Sequence, residues 1–208
     1  MTKMKEKFPN QLFYLILVTA EEILGKPGLN AILNYCGMTK FRDAFPPNNM
    51  EEDHSSDDFS SLMRGFIDVM GEGGVRPIMF RGGIKGFEIM NEQFPQMFDI
   101  NGITPKELDA ESAFGEFRRI YGIMVDASKA MQGDICTYYD VDEGVVLEIA
   151  PCHWCMGVKA KKPVCHGQLG FQFGIARWVT GREIKVEETH CIATGDEMCR
   201  FVMYRPEK

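Results

Sequence analysis

The sequence predicts an α+β chain: N-terminal helices packed on a four-stranded antiparallel sheet with one helix inserted between its strands. Three observations carry this. Apolar residues recur at helical spacing up to about residue 131. Beyond Gly133 the pattern turns to short runs rich in β-branched and aromatic residues. A glycine-punctuated stretch at 164–180 then separates the first two of those runs from the last two.

Residues 10–24 read as an amphipathic helix, with Leu12, Leu15, Ile16, Ile23 and Leu24 on one side and Gly25 placed to end it. A short second helix is expected at 29–35, stopping at Gly37. A polar loop at 45–58 opens with Pro46-Pro47 and carries EEDHSSDD, a solvated stretch. Ser56 is the expected N-cap of the next helix, which buries Leu62, Phe66, Ile67 and Met70. GEGG at 71–74 reads as a break, followed by a glycine-interrupted segment containing Phe80, Ile84, Phe87 and Met90. There Gly82, Gly83 and Gly86 suit close helix packing better than a nucleotide loop, because no strand precedes them.

Thr104-Pro105 opens the strongest helix, whose stripe is Phe114, Phe117, Ile120, Tyr121, Met124 and Val125. Strands follow at 135–140 and 145–149, joined by Val141-Asp142-Glu143-Gly144. The inserted helix at 164–180 precedes strands at 183–188 and 198–204, which flank a loop at 190–197. The chain divides into a helical part, 1–132, and an α+β part, 133–208, expected to form one compact domain.

A net charge of -7 gives no electrostatic footprint for nucleic acid. The apolar run at 12–18 is far short of the roughly 20 residues a membrane span needs, and no secretory cleavage pattern follows it. Seven cysteines, an odd number, fit reduced thiols partly used as metal ligands, which makes the cytoplasm the expected compartment. Fifteen Phe and fourteen Met suit either an adaptable core or a pocket for an apolar ligand.

Cys165, Glu188, Cys191 and Cys199 place three thiols and a carboxylate within 35 residues. Three separate elements supply them: the start of the inserted helix, the end of one strand and the beginning of the next. A hairpin brings its two ends together, with Gly195-Asp196 supplying the turn, so one tetrahedral metal can staple helix to hairpin. The alternative is that these are ordinary buried free cysteines.

The stretch CHGQLGFQFGIARWVTGREIKVEETHCIATGDEMCRF resembles the C-terminal signature of the 4-vinyl-reductase, or hydrocarbon-binding, domain family. EEILGKPGLNAILNYCG, the Pro-Pro loop and VMGEGGVRPIMFRGG are similar to the N-terminal part of its stand-alone members. The resemblance implies a structural zinc held by Cys165, Glu188, Cys191 and Cys199. They reproduce the separations of 22, 2 and 7 residues found in the zinc-containing sensory domains of aromatic-responsive activators. It also implies a TRAPP-subunit-like fold, as in a vesicle-tethering complex, dimerisation through the helical face, and an apolar cavity. A site with four protein ligands is closed, so structural rather than hydrolytic.

Cys152 and Cys155 form a further two-spaced pair. The simplest reading is thiols lining or flanking the pocket; the alternative is an iron–sulfur or redox protein using Cys152, Cys155 and Cys165. No Ser/His/Asp set or paired catalytic carboxylates stand out. The expected function is therefore that of a zinc-stabilised, homodimeric sensor or carrier for a small hydrophobic or aromatic ligand, rather than an enzyme. Trp154 is placed at the pocket mouth, with Phe171, Trp178, Phe117 and Tyr121 as further ligand-binding candidates. The stretch to Lys208 shows neither an ATPase nor a DNA-binding module, so any signalling output is expected to pass through a partner or through ligand delivery. A different reading, a reductase or accessory protein acting on the vinyl group of a tetrapyrrole precursor, needs a hydride donor for which no nucleotide loop is evident.

Overall fold

The computed structural model describes residues 7–93, 108–132 and 136–206. Strand β1 (Lys7–Phe8) leads into helix α1 (Asn10–Tyr35) and pairs antiparallel with β2 (His54–Ser55), which runs directly into helix α2 (Ser56–Gln93). Helix α3 (Ala110–Gln132) precedes β3 (Cys136–Val141) and β4 (Gly144–Ile149). Helix α4 (His166–Thr180) then separates this hairpin from β5 (Val186–His190) and β6 (Cys199–Tyr204). The sheet runs β3-β4-β6-β5, antiparallel throughout. The α+β expectation of helices with a four-stranded sheet and one inserted helix describes this architecture.

Two expected breaks turn out to be kinks. Gly25 (φ 68°, ψ 165°) and Gly71 (φ 74°, ψ 162°) leave helical geometry for one residue, and the chain returns to helix at once. Positive φ is cheap only for glycine, while Pro27 and Pro77 fall early in the resumed helices, where a missing N–H costs little. The segments at 10–24 and 29–35 are thus one kinked helix, and 71–74 lies inside α2 rather than between helices.

The start of α2 also differs by one residue. Ser55 is its cap: the Ser55 hydroxyl accepts from the Asp58 N–H at 3.1 Å, and the Asp58 carboxylate accepts from the Ser55 N–H at 3.0 Å. This reciprocal pair satisfies two otherwise orphaned donors. The Thr104-Pro105 opening lies outside the described residues, as does residue 135 of the first expected strand. Within them, α3 starts behind Asp109, whose carboxylate accepts from the N–H groups of Glu111 and Ser112, both at 3.0 Å. The α3 stripe packs as its periodicity requires, with Phe114, Phe117, Ile120, Tyr121 and Val125 buried.

Helices α2 and α4 meet backbone to backbone. A Cβ on Gly83 would collide with the carbonyl oxygen of Gly167, and one on Gly170 with that of Phe80. The glycines of α2 therefore serve close packing, which draws the start of α4 against the middle of α2. Strand β5 begins at Val186 and reaches His190, later than the expected 183–188, because a register shift between Glu188 and His190 lets the pairing with β6 continue past Glu188.

Candidate metal centre and adjoining cavity

Local geometry explains how each ligand candidate reaches the centre. Cys165 caps α4 with its φ and ψ at -78° and 44°, and its carbonyl accepts from the Leu169 N–H at 3.0 Å. Glu188 faces Phe201 across the β5–β6 ladder, and Cys199 faces Ile149 across β4–β6. Between the two strands, Gly195 takes a left-handed conformation (φ 107°). The Asp196 carboxylate accepts from the Cys191 N–H at 2.8 Å and the Thr194 hydroxyl at 2.9 Å. This fixes Cys191 at the turn, as the hairpin argument expects.

The expected quartet converges. One donor atom each from Cys165, Glu188, Cys191 and Cys199 lies within 4.8 Å of every other. The Sγ of Cys165 is 3.8 Å from that of Cys191 and 3.6 Å from that of Cys199. Thiolates bound to one tetrahedral ion at about 2.3 Å are separated by about 3.8 Å, so these spacings suit a single metal ion. Glu188 is oriented for the role. Its Oε2 accepts from the Cys165 N–H at 2.9 Å, while its Oε1 is buried without a hydrogen-bond partner. A buried carboxylate oxygen left bare in this way is costly unless a cation or proton meets it.

Electrostatics agree with that fit. Burial, with Cys191 beside it, pushes the Glu188 carboxyl up to about 9. Contact with the neighbouring thiols, Cys152 first, together with burial raises Cys165 well above the ordinary thiol range. These groups resist ionising together unless positive charge is supplied. His166, the first residue of α4, is pushed down to about 4 by burial and by Arg76, and so is neutral at physiological pH.

Sequence reasoning missed how Cys152 and Cys155 relate to this cluster. Both are buried, and the Sγ of Cys152 lies 3.7 Å from that of Cys165. The Sγ of Cys155 lies 3.4 Å from that of Cys199. Cys152, Cys155, Cys165 and Cys199 thus make a second set within 4.8 Å. Such direct sulfur contacts leave no room for the inorganic core that separates the thiolates of an iron–sulfur cluster. The available signal was positional: β4 ends at Ile149, opposite Cys199, so a cysteine pair following it is delivered to the same end of the sheet.

A cavity of about 290 Å³ adjoins the cluster, bounded by α1, α2, the start of α4 and the short helical turn His153–Cys155. Leu12, Ile78, Met79, Trp154 and Phe171 are on its wall. The Trp154 indole N–H donates to Gln168 Oε1 at 3.0 Å, which holds the ring against the cavity. Of the aromatic candidates, Trp154 and Phe171 line this space. Trp178 instead packs edge-on to Phe87 at 5.6 Å, and Phe117 packs against Tyr121 at 5.2 Å along α3. The Cys152–Cys155 turn thus has two faces, with thiols in the cluster and the side chains of His153 and Trp154 on the cavity.

Residues 145–205 match the 4-vinyl-reductase domain family, the family that the C-terminal motifs resemble, and the match includes all six donor residues. Over 41 residues the chain is 44% identical to the phenol regulator MopR of Acinetobacter guillouiae, covering 20% of this chain and 7% of that protein. Over 62 residues it is 27% identical to an uncharacterized protein of Methanocaldococcus jannaschii, covering 30% of this chain and 34% of the other. The chain therefore spans about a third or less of these curated relatives. Among solved structures, an H-NOX-family chain studied for heme distortion superposes with a TM-score of 0.58 at 14% identity, over 96% of each chain. An H-NOX protein from S. oneidensis in the Fe(II)NO ligation state gives 0.57 at 12% identity, over 96% of this chain and 99% of that one. At such identities the likeness is one of fold. No helix among the described residues is long and apolar enough to cross a membrane.

Proposed function

We propose that this protein binds a small hydrophobic or aromatic molecule as a sensor or carrier, and that a structural zinc held by Cys165, Glu188, Cys191 and Cys199 fixes the pocket. The observation that carries the reading is the shared turn: His153–Cys155 joins the thiol cluster on one side to the cavity wall on the other. Zinc is the ion of choice because three thiolates and one carboxylate form a closed tetrahedral set with soft and borderline donors. Bound there, it supplies no reaction; it neutralises charge and pins α4 to the β5–β6 hairpin. At about 290 Å³ the cavity is near the lower end of ligand pockets, about 300–1,000 Å³, which suits a one- or two-ring molecule. The partial match to a phenol regulator points the same way.

The two parts, 1–132 and 133–208, act as one compact domain in this reading, since α4 lies in backbone contact with α2. A homodimer through the helical face, a TRAPP-subunit-like relationship, a cytoplasmic location and output through a signalling partner complete it.

The test is a titration of the zinc-loaded protein with phenol and with 1-naphthol, followed by tryptophan fluorescence and calorimetry. Saturable binding of at least one probe is expected, weakened about 10-fold or more by Trp154→Ala, which removes both an apolar wall and an anchored ring. Absence of saturable binding by both probes overturns the proposal.

A further inference from the structure

The two donor sets share two members. Cys152, Cys155, Cys165 and Cys199 form one tetrad, and Cys165, Glu188, Cys191 and Cys199 the other. The common pair, Cys165 and Cys199, has its sulfurs 3.6 Å apart. Each tetrad adds a pair of its own to that edge: Cys152 and Cys155 from the segment after β4, Glu188 and Cys191 from the end of β5. Two tetrahedra sharing an edge are the arrangement of two metal ions bridged by two thiolates.

We infer that the cluster is a dinuclear site for thiophilic divalent cations, with Cys165 and Cys199 bridging, Cys152 and Cys155 terminal on one ion, and Glu188 and Cys191 terminal on the other. This rests on the proposed zinc site and adds a second ion to it.

Three features support the assignment. The spacings on the added side, 3.7 Å for Cys152 to Cys165 and 3.4 Å for Cys155 to Cys199, are those of sulfurs on one ion, as on the first side. Two ions flanking the shared edge at bond lengths of about 2.3 Å sit roughly 3 Å apart, a separation that bridging thiolates sustain. Charge gives the second argument. Five thiolates and one carboxylate carry six negative charges, of which one divalent ion neutralises two and a pair neutralises four. In a buried centre that difference decides whether the outer thiols can ionise and bind. The third feature is recruitment: five of the chain's seven cysteines meet at this point, all buried. Apolar packing alone gives no reason for five sulfurs to be in mutual contact. The Ile192 N–H also donates to Cys199 Sγ at 3.4 Å, an interaction that favours the thiolate form of a proposed bridge. The second ion would tie the Cys152–Cys155 turn, and with it Trp154 on the cavity wall, to the first.

Metal stoichiometry tests this directly. The intact protein, loaded with zinc and exchanged into metal-free buffer, is expected to carry two zinc ions per chain by native mass spectrometry and elemental analysis. The double variant Cys152→Ser/Cys155→Ser is expected to retain one. To cover the case in which that variant fails to fold, the wild-type protein is also titrated with Co²⁺. Thiolate-to-cobalt absorption should saturate at two equivalents, and the paramagnetic signal should fall between the first and second as bridged ions couple. One zinc in the wild type, unaffected by the double substitution, overturns the dinuclear site and leaves the zinc of the proposed function standing. One zinc that is lost in the double variant but kept in Glu188→Gln places the ion in the other tetrad and overturns both. No bound zinc and no saturable cobalt also overturns both.

Discussion

Residues 7–93 and residues 136–206 are held together by different means. In the former, kinked helices α1 and α2 pack through Phe13, Leu17, Leu33, Phe59 and Phe66, all fully buried, and Cys36 is left half-buried at the helix end. In the latter, the same kind of apolar core surrounds five buried thiols and a carboxylate with an unpartnered oxygen. Apolar packing accepts many side chains of the right volume; coordination accepts only particular donors at particular places. The contrast separates a scaffold that tolerates variation from a centre that does not.

The largest expected effect breaks the second region alone. Cys199 belongs to both tetrads, so Cys199→Ser should abolish metal binding and lower the melting temperature by at least about 10 °C, since metal affinity here is folding free energy. Cys36→Ser, in the first region, should leave both unchanged. Calorimetric melting and zinc analysis of the two variants measure the contrast directly; equal effects would erase it.

A second, smaller effect concerns the joint between the regions. Gly83→Val must force α2 away from the Gly167 carbonyl and from the Phe171 N–H, 2.7 Å from the position of a Cβ. Overpacking of this kind costs about 1–3 kcal/mol or more, a melting shift of roughly 3–10 °C. Gly115, in α3, has nothing within 4 Å of its Cβ position, so Gly115→Ala should instead stabilise by about 0.5–1 kcal/mol. If both substitutions behave alike, the close approach of α2 and α4 contributes nothing to stability.

The smallest effect is a pH dependence in the first region. His54 is stacked on Phe13 at 4.0 Å, and burial, then Lys40, lowers its pKa from the ordinary 6.5. The folded chain therefore resists the proton that the unfolded chain accepts. Stability from this residue is present above pH 6.5 and is lost as pH falls through the lower folded value. The melting temperature of wild type minus that of His54→Phe should decline between about pH 7.5 and about pH 5. Metal release at low pH is common to both proteins, so the subtraction isolates the histidine; a flat difference would show that its burial carries no such penalty.

Legibility in the sequence follows the same division. The quartet Cys165, Glu188, Cys191 and Cys199 can be read because its members lie on one helix start and one hairpin, where spacing along the chain nearly fixes spacing in space. The α3 stripe is equally clear from its period. The kinks at Gly25 and Gly71 are visible as glycines but read as ends, because a single residue outside helical geometry looks the same in sequence whether or not the helix resumes. Cys152 and Cys155 stand out as a pair, but their meeting with Cys165 and Cys199 depends on the register of β4 against β6. Trp154 and Trp178 look equivalent as pocket candidates, yet only the packing of α4 on α2 sets one against the cavity and the other against Phe87.

Local periodicity and turn chemistry are thus enough to specify an α+β chain whose C-terminal hairpin and helix start gather three thiols and a carboxylate. They do not specify that two more thiols complete a second tetrad, or that the turn carrying them also walls the cavity. Those relations exist only in the folded molecule, where elements distant in the chain are pressed together by burial, and no local pattern of residues encodes that contact.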